Sequence, residues 1–331
     1  MQRALYDPES GYYQRADRER WGRAGDYRTS PERSVLFAAT FARYFARLYE
    51  ELGRPWTIVE CGAGGGDFAE GVLETLARQF PAIFEATRYV VVDVSDDALR
   101  RARARLVEFG DRVRFCRDWD QISNGIVFSN ELLDAFPVHR VVQTDEGLRE
   151  LYVTADAWSK GPLSTPRLSE FCREYAIQLE VGQTIEINLE IDEWLARVAG
   201  KLANGFVITV DYGAESEELY DVALRPNGTL RGFRRHELVD DVLAHAGECD
   251  ITTSVNWTQV KTVGERLGLR VEEFASQDKF LLQAGLLAEL EYGLGVTESE
   301  AEKAALTTGA REMILPGGMA SSFQVLVQRR V

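Results

Sequence analysis

Residues Ile58-Val59-Glu60-Cys61-Gly62-Ala63-Gly64-Gly65-Gly66-Asp67 decide the fold of this chain, because an apolar strand closes there on an acid and breaks into a glycine turn. An amphipathic helix follows at once, with Phe68, Val72, Leu76 and Phe80 four apart on one face. Strand, turn and helix begin a βα unit. Glycines at 62, 64 and 66 let a ligand approach the main chain beside the unpaired amides of a helix N-terminus, the setting of a nucleoside site. A dinucleotide fingerprint wants Gly-x-Gly-x-x-Gly, so that a pyrophosphate sits on the helix dipole. Here Asp67 stands where the third glycine would be.

A carboxylate at 67, with Glu60 ahead of the turn, opposes a pyrophosphate by a few kcal/mol at most, still roughly tenfold or more in affinity. It does not oppose a cation. S-adenosylmethionine carries a sulfonium, an ammonium and no phosphate, and suits this turn better than NAD or FAD does. On this reading Glu60, Gly62, Ala63, Gly64 and Gly66 form the cofactor loop. The next strand, Tyr89-Val-Val-Val, ends in Asp93-Val94, where the acid is placed to take both ribose hydroxyls. A third, Val113-Arg-Phe-Cys116, leads to Asp118-Trp119, a carboxylate for the adenine amino group and an aromatic face for the ring. The competing reading is an ordinary glycine turn with strand-end acids; three matching strand ends in order weigh against it.

Helix and strand patterns alternate through the first 130 residues, implying a parallel sheet with helices on both faces. Residues 1–30, rich in Gly, Tyr and charge, read as irregular. A helix is expected from Ser30 or Pro31 to about Glu51, with Thr29-Ser30-Pro31-Glu32 as a capping box. Strands are expected at 57–61, 88–93, 112–116 and 125–129, within a cofactor-binding core over 31–139. Beyond Pro137 the alternation stops. Segments 138–145 and 148–154 suggest a hairpin inside an insertion over 140–183, and the core continues over 184–213. A second insertion covers 214–250, and 251–331 returns to the core with helices near 279–312 and a last strand near 322–328. The expected fold is α/β, a class I methyltransferase (Rossmann-like) seven-stranded sheet whose last strand is antiparallel, with a smaller α+β region inserted on the substrate side.

Over 331 residues, 45% hydrophobic content is ample for a core, and a net charge of −15 argues against a nucleic-acid partner while leaving cationic partners open. The four cysteines, Cys61, Cys116, Cys172 and Cys249, form no close pair, and the three histidines have no ligand spacing, so no disulfide framework and no metal are expected. No run approaches the roughly 20 apolar residues of a membrane span. The segment from Met1 to Pro8 lacks the marks of a signal or transit peptide, and a cytoplasmic protein is the expectation. A homodimer stays open.

A set of residues spread over nearly the whole chain resembles the MidA family of S-adenosylmethionine-dependent methyltransferases. They are Gly11-Tyr12-Tyr13, Gly25-Asp26, Thr29-Ser30-Pro31-Glu32, the turn from Glu60 to Gly66, Asn130-Glu131-x-x-Asp134-Ala135-x-Pro137-Val138, Asp211-Tyr212-Gly213, Gly228-Thr-Leu-Arg231, His236 and Asp250-Ile-Thr252. The family includes a mitochondrial factor for assembly of respiratory complex I, so the resemblance implies arginine methylation of a protein partner. The chain departs from the family where Ala-His-Val-Asp-Phe is usual: it has Thr253-Ser254-Val255-Asn256-Trp257. Ala246 replaces a proline, and Ala38 a glycine.

Methyl transfer is an in-line displacement, in which alignment of the reactants is worth on the order of 7 to 11 kcal/mol. A guanidinium acceptor is a planar donor fork that two carboxylates can clamp. Glu131 and Asp134, three apart, would share one side of a helical turn at the rim of the cofactor site, with Asn130 nearer the cofactor; the bland alternative is an acidic helix N-terminus. His236 is the alternative for proton handling. Thr29, Ser30 and Glu32 are candidates for the methionine end of the cofactor, Asp211-Tyr212-Gly213 for the substrate side, and Arg231, Arg234 and Arg235 for an acidic substrate group or a solvated face. Three further readings compete with protein arginine methylation: a small-molecule O- or N-methyltransferase, a non-catalytic assembly protein on the same fold, and, weakest, an oxidoreductase.

Overall fold

The computed structural model describes residues 1–15, 34–154, 157–235, 237–239, 241–315 and 322–330. Of the segment 1–30 expected to be irregular, residues 1–15 are described and are folded: α1 (Gln2–Tyr6) and a 3-10 turn at Tyr12–Gln14 bury Leu5 and Tyr12 against Cys249 and Ile251, while residues 16–30 lie outside the described residues. The helix α2 (Val35–Leu52) starts later than its sequence suggests, because the Ser34 hydroxyl accepts from the Leu36 amide at 3.2 Å and caps it. The box at Thr29–Glu32 lies outside the described residues. Next come β1 (Trp56–Cys61), α3 (Asp67–Gln79), α4 (Pro81–Ala86), β2 (Thr87–Val92), α5 (Asp96–Arg105), β3 (Val113–Cys116) and β4 (Gly125–Asn130). The aromatic face of α2, Phe37, Phe41 and Phe45, packs on Phe68 of α3, which stacks on Phe128 of β4 at 4.3 Å.

Past Pro137 the chain builds β5 (His139–Thr144), β6 (Gly147–Thr154), β7 (Ala157–Gly161), α6 (Arg167–Glu174) and β8 (Thr184–Ile187). The expected hairpin is thus part of a four-stranded antiparallel sheet, ordered β7-β6-β5-β8. Residues 184–187, expected in the resumed core, close its far edge, because Ile185 and Ile187 bury against Val141, Leu168 and Phe171. The core resumes with α7 (Glu190–Lys201) and β9 (Gly205–Ala214). After α8 (Ser216–Leu219), strands β10 (Arg231–Arg234), β11 (Glu237–Val239) and β12 (Asp250–Thr252) form a small sheet of their own. The short β13 (Val255–Asn256) pairs with the end of β9. Then follow α9 (Trp257–Arg266), β14 (Leu269–Ser276), α10 (Gln277–Ala284), α11 (Leu286–Val296), α12 (Glu300–Ile314) and β15 (Phe323–Arg330).

The large sheet runs β14-β15-β9-β4-β1-β2-β3, with β15 antiparallel to β9 and β14, and β3, β2, β1, β4 and β9 mutually parallel. This is the class I methyltransferase arrangement. One apolar cluster, built on α2, α3 and α10, covers one face, and another, built on α7 and α9, covers the other. From β1 the chain steps outward to β2 and β3, then returns to β4 on the opposite side of β1. Such a reversal opens a crevice at the carboxyl ends of the strands.

Candidate active site

In that crevice lies a cavity of about 680 Å³. The loop after β1 forms its floor. Gly64, at φ 54°, takes a left-handed conformation that glycine adopts without strain, and its amide donates to Asp93 Oδ2 at 3.0 Å. The amides of Gly62 and Ala63 donate to Val92 O, so the loop is pinned to the end of β2. Asp93 Oδ1 accepts from the Ser95 amide at 2.8 Å, fixing that carboxylate beside the loop. Around the floor stand Gly62, Gly64, Asp93, Val94, Trp119, Glu131 and Leu132 from the strand ends, Glu190, Glu193, Trp194 and Arg197 from one face of α7, and Gln2, Tyr6, Pro8, Tyr13 and Gln14 from the N-terminal segment. That segment is tied down by Tyr6 Oη donating to Ala135 O (3.0 Å) and Tyr13 Oη donating to Asp250 Oδ1 (2.5 Å).

Several acids singled out in the sequence do not reach the cavity. Glu60 is buried beneath the sheet's first helices, where the Tyr89 hydroxyl donates to its Oε2 at 2.7 Å. Desolvation raises its pKa to about 8, so at neutral pH it holds a proton and adds little negative charge. Asp67 pairs with Arg105 at 3.0 Å, and Arg105 also binds Glu70. Glu60 and Asp67 therefore do not set the charge of the cofactor site, contrary to the expectation from sequence: one is neutral, the other is compensated, and neither lines the cavity. Asp118 is mostly exposed and bonded to the Lys201 ammonium at 2.5 Å. Of that pair only Trp119 lines the cavity, with Lys201 over its ring. Ala63, Gly66 and Asn130 sit just behind the lining, and Asn130 Nδ2 donates to Glu131 Oε1 at 3.3 Å.

Residues 131–134 form a turn and not the expected helical turn. Glu131 has φ 50°, unusual for a residue with a side chain, and lines the cavity. Asp134 does not stand beside it. It is buried behind the turn, where the Tyr212 hydroxyl donates to its Oδ2. Asp211 shapes the turn, its carboxylate accepting from the amides of Leu133 (2.9 Å) and Asp134 (3.3 Å). Burial raises the pKa of Asp134 to about 6, against the opposing pull of the Tyr212 bond and the Arg231 charge. His236, Thr29, Ser30 and Glu32 lie outside the described residues.

The sequence and fold that surround this cavity are matched by known proteins. A family model described as "Putative S-adenosyl-L-methionine-dependent methyltransferase" covers residues 40–275. The chain belongs to this methyltransferase family. The protein arginine methyltransferase NDUFAF7 homolog of Drosophila melanogaster, a mitochondrial protein, is 25% identical over 299 residues, covering 81% of this chain and 66% of its own length. Human NDUFAF7, also mitochondrial, is 24% identical over 98% of this chain and 77% of its own. A crystal structure from Burkholderia thailandensis with bound S-adenosyl-homocysteine has a TM-score of 0.87 at 28% identity, covering 99% of this chain and 86% of that one. The mitochondrial relatives overturn the expectation of a cytoplasmic protein.

S-adenosyl-L-methionine is the cofactor of the methyltransferase family, and the cavity fits it. Its lining carries five carboxylates, Asp93, Asp96, Glu131, Glu190 and Glu193, against the guanidiniums of Arg117 and Arg197, with Arg167 reaching Glu193 from outside at 3.7 Å, a balance that still favours a cation. Two sources of lining went unread in the sequence. The face of α7 was visible only as 190, 193, 194 and 197, a helical spacing equally good for packing. The N-terminal wall carried one signal, Gly11-Tyr12-Tyr13. No helix among the described residues is long and apolar enough to cross a membrane, and no group of three or more acids, histidines and cysteines among them is placed to hold a metal ion.

Proposed function

We propose that this methyltransferase acts on an arginine side chain of a protein partner, with the end of β4 as the acceptor side. The carrying observation is Glu131, a carboxylate held at φ 50° and lining the cavity where β4 ends. The relatives' names as protein arginine methyltransferases support the choice of acceptor. S-adenosyl-L-methionine, when bound, supplies a methyl group activated by a sulfonium. Gly62, Gly64, Asp93, Val94 and Trp119 hold the cofactor, while Glu60, Ala63, Gly66, Asp118 and Asn130 support them from behind. Glu131 accepts a hydrogen bond from the acceptor N–H, aims that nitrogen into the cavity, and takes up the proton the nitrogen loses as the N–CH₃ bond forms. Asp134 positions Tyr212, and Tyr6 and Tyr13 wall the site from water.

The enclosure by residues 2–14 favours a small acceptor as the second reading. Both are tested by incubating the protein with methyl-labelled cofactor, arginine peptides and a cell lysate, alongside calorimetry of cofactor binding. Label in arginine of the macromolecular fraction is expected. Label confined to small molecules would replace the first reading by the second, and cofactor binding without label in either fraction would refute both.

A further inference from the structure

Arg231 opens β10 and is treated differently from its neighbour Arg234, which pairs with Glu248 at 3.3 Å. The Arg231 guanidinium carbon lies 4.6 Å from the centre of the Tyr212 ring and 5.7 Å from that of Phe233. Its Nε is buried with no hydrogen-bond partner, and among the described residues no carboxylate lies within ion-pairing distance of it. In a chain of net charge −15 a buried arginine Nε with no acceptor among the described residues is out of place, because burying such a donor unmet costs free energy. Asp134, whose carboxyl the Arg231 charge pulls downward, is bonded to Tyr212 through Oδ2, while its Oδ1 is buried without a hydrogen-bond partner and makes no ion pair with Arg231.

The backbone that carries Arg231 is held firmly. Glu186 accepts from the amide and hydroxyl of Thr229, Thr229 Oγ1 accepts from the Ser254 amide, and Arg231 pairs with Thr252 across the small sheet. Its place is also defined. The Tyr212 ring beneath it reaches Asp134, whose neighbours Leu132 and Ala135 line the cavity.

We infer that Arg231 is an anion-recognition residue, which holds a carboxylate of the methyl acceptor beside the turn that presents Glu131. A planar fork clasped by two rings is pre-set for a bidentate carboxylate. The inference rests on the reading that the acceptor binds at the end of β4. The carboxylate has two sources, an acidic residue next to the target in a peptide or the acceptor's own terminal group.

The full chain with ¹⁵N-labelled arginine is titrated with acetate, and with chloride at equal ionic strength, while the Arg231 Nε–H resonance, assigned by its loss in Arg231→Gln, is followed. A saturable acetate shift of that resonance is expected, with chloride giving none. Absence of a saturable shift, or an equal shift with chloride, overturns the inference. In a second arm, peptides carrying Arg-Asp or Arg-Asn, and free arginine, are offered with labelled cofactor. A preference of about tenfold in kcat/KM for Arg-Asp over Arg-Asn, abolished in Arg231→Gln, identifies the peptide source, and methylation of free arginine alone identifies the terminal group. If nothing is methylated, the acceptor reading fails, while the acetate shift still decides the role of Arg231.

Discussion

Replacing Glu60 by glutamine stabilises the protein at pH 8 and does much less at pH 5. Glu60 is fully enclosed, and burial lifts its pKa from 4.5 to about 8 although the Tyr89 hydroxyl pulls the other way. An acid whose folded pKa is raised contributes stability that is intact below its unfolded pKa and is lost as pH climbs through the folded value. The window is therefore from about pH 4.5 to 8. Within it each pH unit costs up to about 1.4 kcal/mol, less near either end, so the loss between pH 5 and 8 is about 3 to 4 kcal/mol. Glutamine has the shape of the protonated acid, does not titrate, and keeps an oxygen to accept from Tyr89. Urea unfolding of both proteins at each pH gives the difference in ΔG, in which every other titrating group cancels so long as it does not contact residue 60. The advantage of Glu60→Gln should grow steadily with pH. A difference that stays flat from pH 5 to 8 would refute the reasoning, since it would mean that Glu60 is ionised in the folded protein throughout.

Glu131→Gln keeps the shape of the side chain and removes the proton acceptor, so turnover should fall roughly 100-fold while calorimetry shows an unchanged cofactor Kd; a loss of cofactor binding instead would place Glu131 on the cofactor side. Gly66→Ala puts a side chain at φ 84°, with its Cβ 3.2 Å from that of Ala102, and should cost about 1 to 2 kcal/mol in thermal or urea unfolding. Asn256 accepts from the Gln259 amide as the cap of α9 and donates to the Tyr220 hydroxyl, so Asn256→Ala should cost about 1 to 2 kcal/mol by the same measurement. Asn256→Asp, which keeps the cap acceptor, should cost less than Asn256→Ala.

The βα core could be read from the sequence because its signals are local. Apolar residues four apart along α3, the apolar runs within β2 and β4, and the Ile58-Val59 strand that breaks into a glycine turn each declare an element without reference to anything distant, and the observed strand ends fall close to those expected. The inserted sheet could not be read in this way. Residues 157–160 of β7 are exposed, so the strand has no buried face to alternate with. The four residues of β8 are all buried, including Glu186, whose carboxylate is met by Arg140 and Thr229. A four-residue strand carries no mark of which sheet it joins. That choice is made by partners 46 and 43 residues away.

The site shows the same division between local and distant information. Asp93, Val94, Trp119 and Glu131 line the cavity because a strand end in this topology must open there. Glu60, Asp118 and Asp134 fail to reach it for one shared reason: another side chain claims each of them first. Tyr89 takes Glu60, Lys201 takes Asp118 and Tyr212 takes Asp134, from 29, 83 and 78 residues away. Formal charge in a sequence is thus a poor guide to the charge a ligand meets. The preference for a cationic cofactor survives on different grounds, because Glu190 and Glu193 of α7 replace Glu60 and Asp67 as the acids facing the cavity. Burial and the neighbouring Glu193 raise the pKa of Glu190, so the two carboxylates already strain against each other across one helical turn. A cation bound in the cavity relieves that repulsion, and the cavity is shared by the helix after the first insertion and the loop where the fold begins.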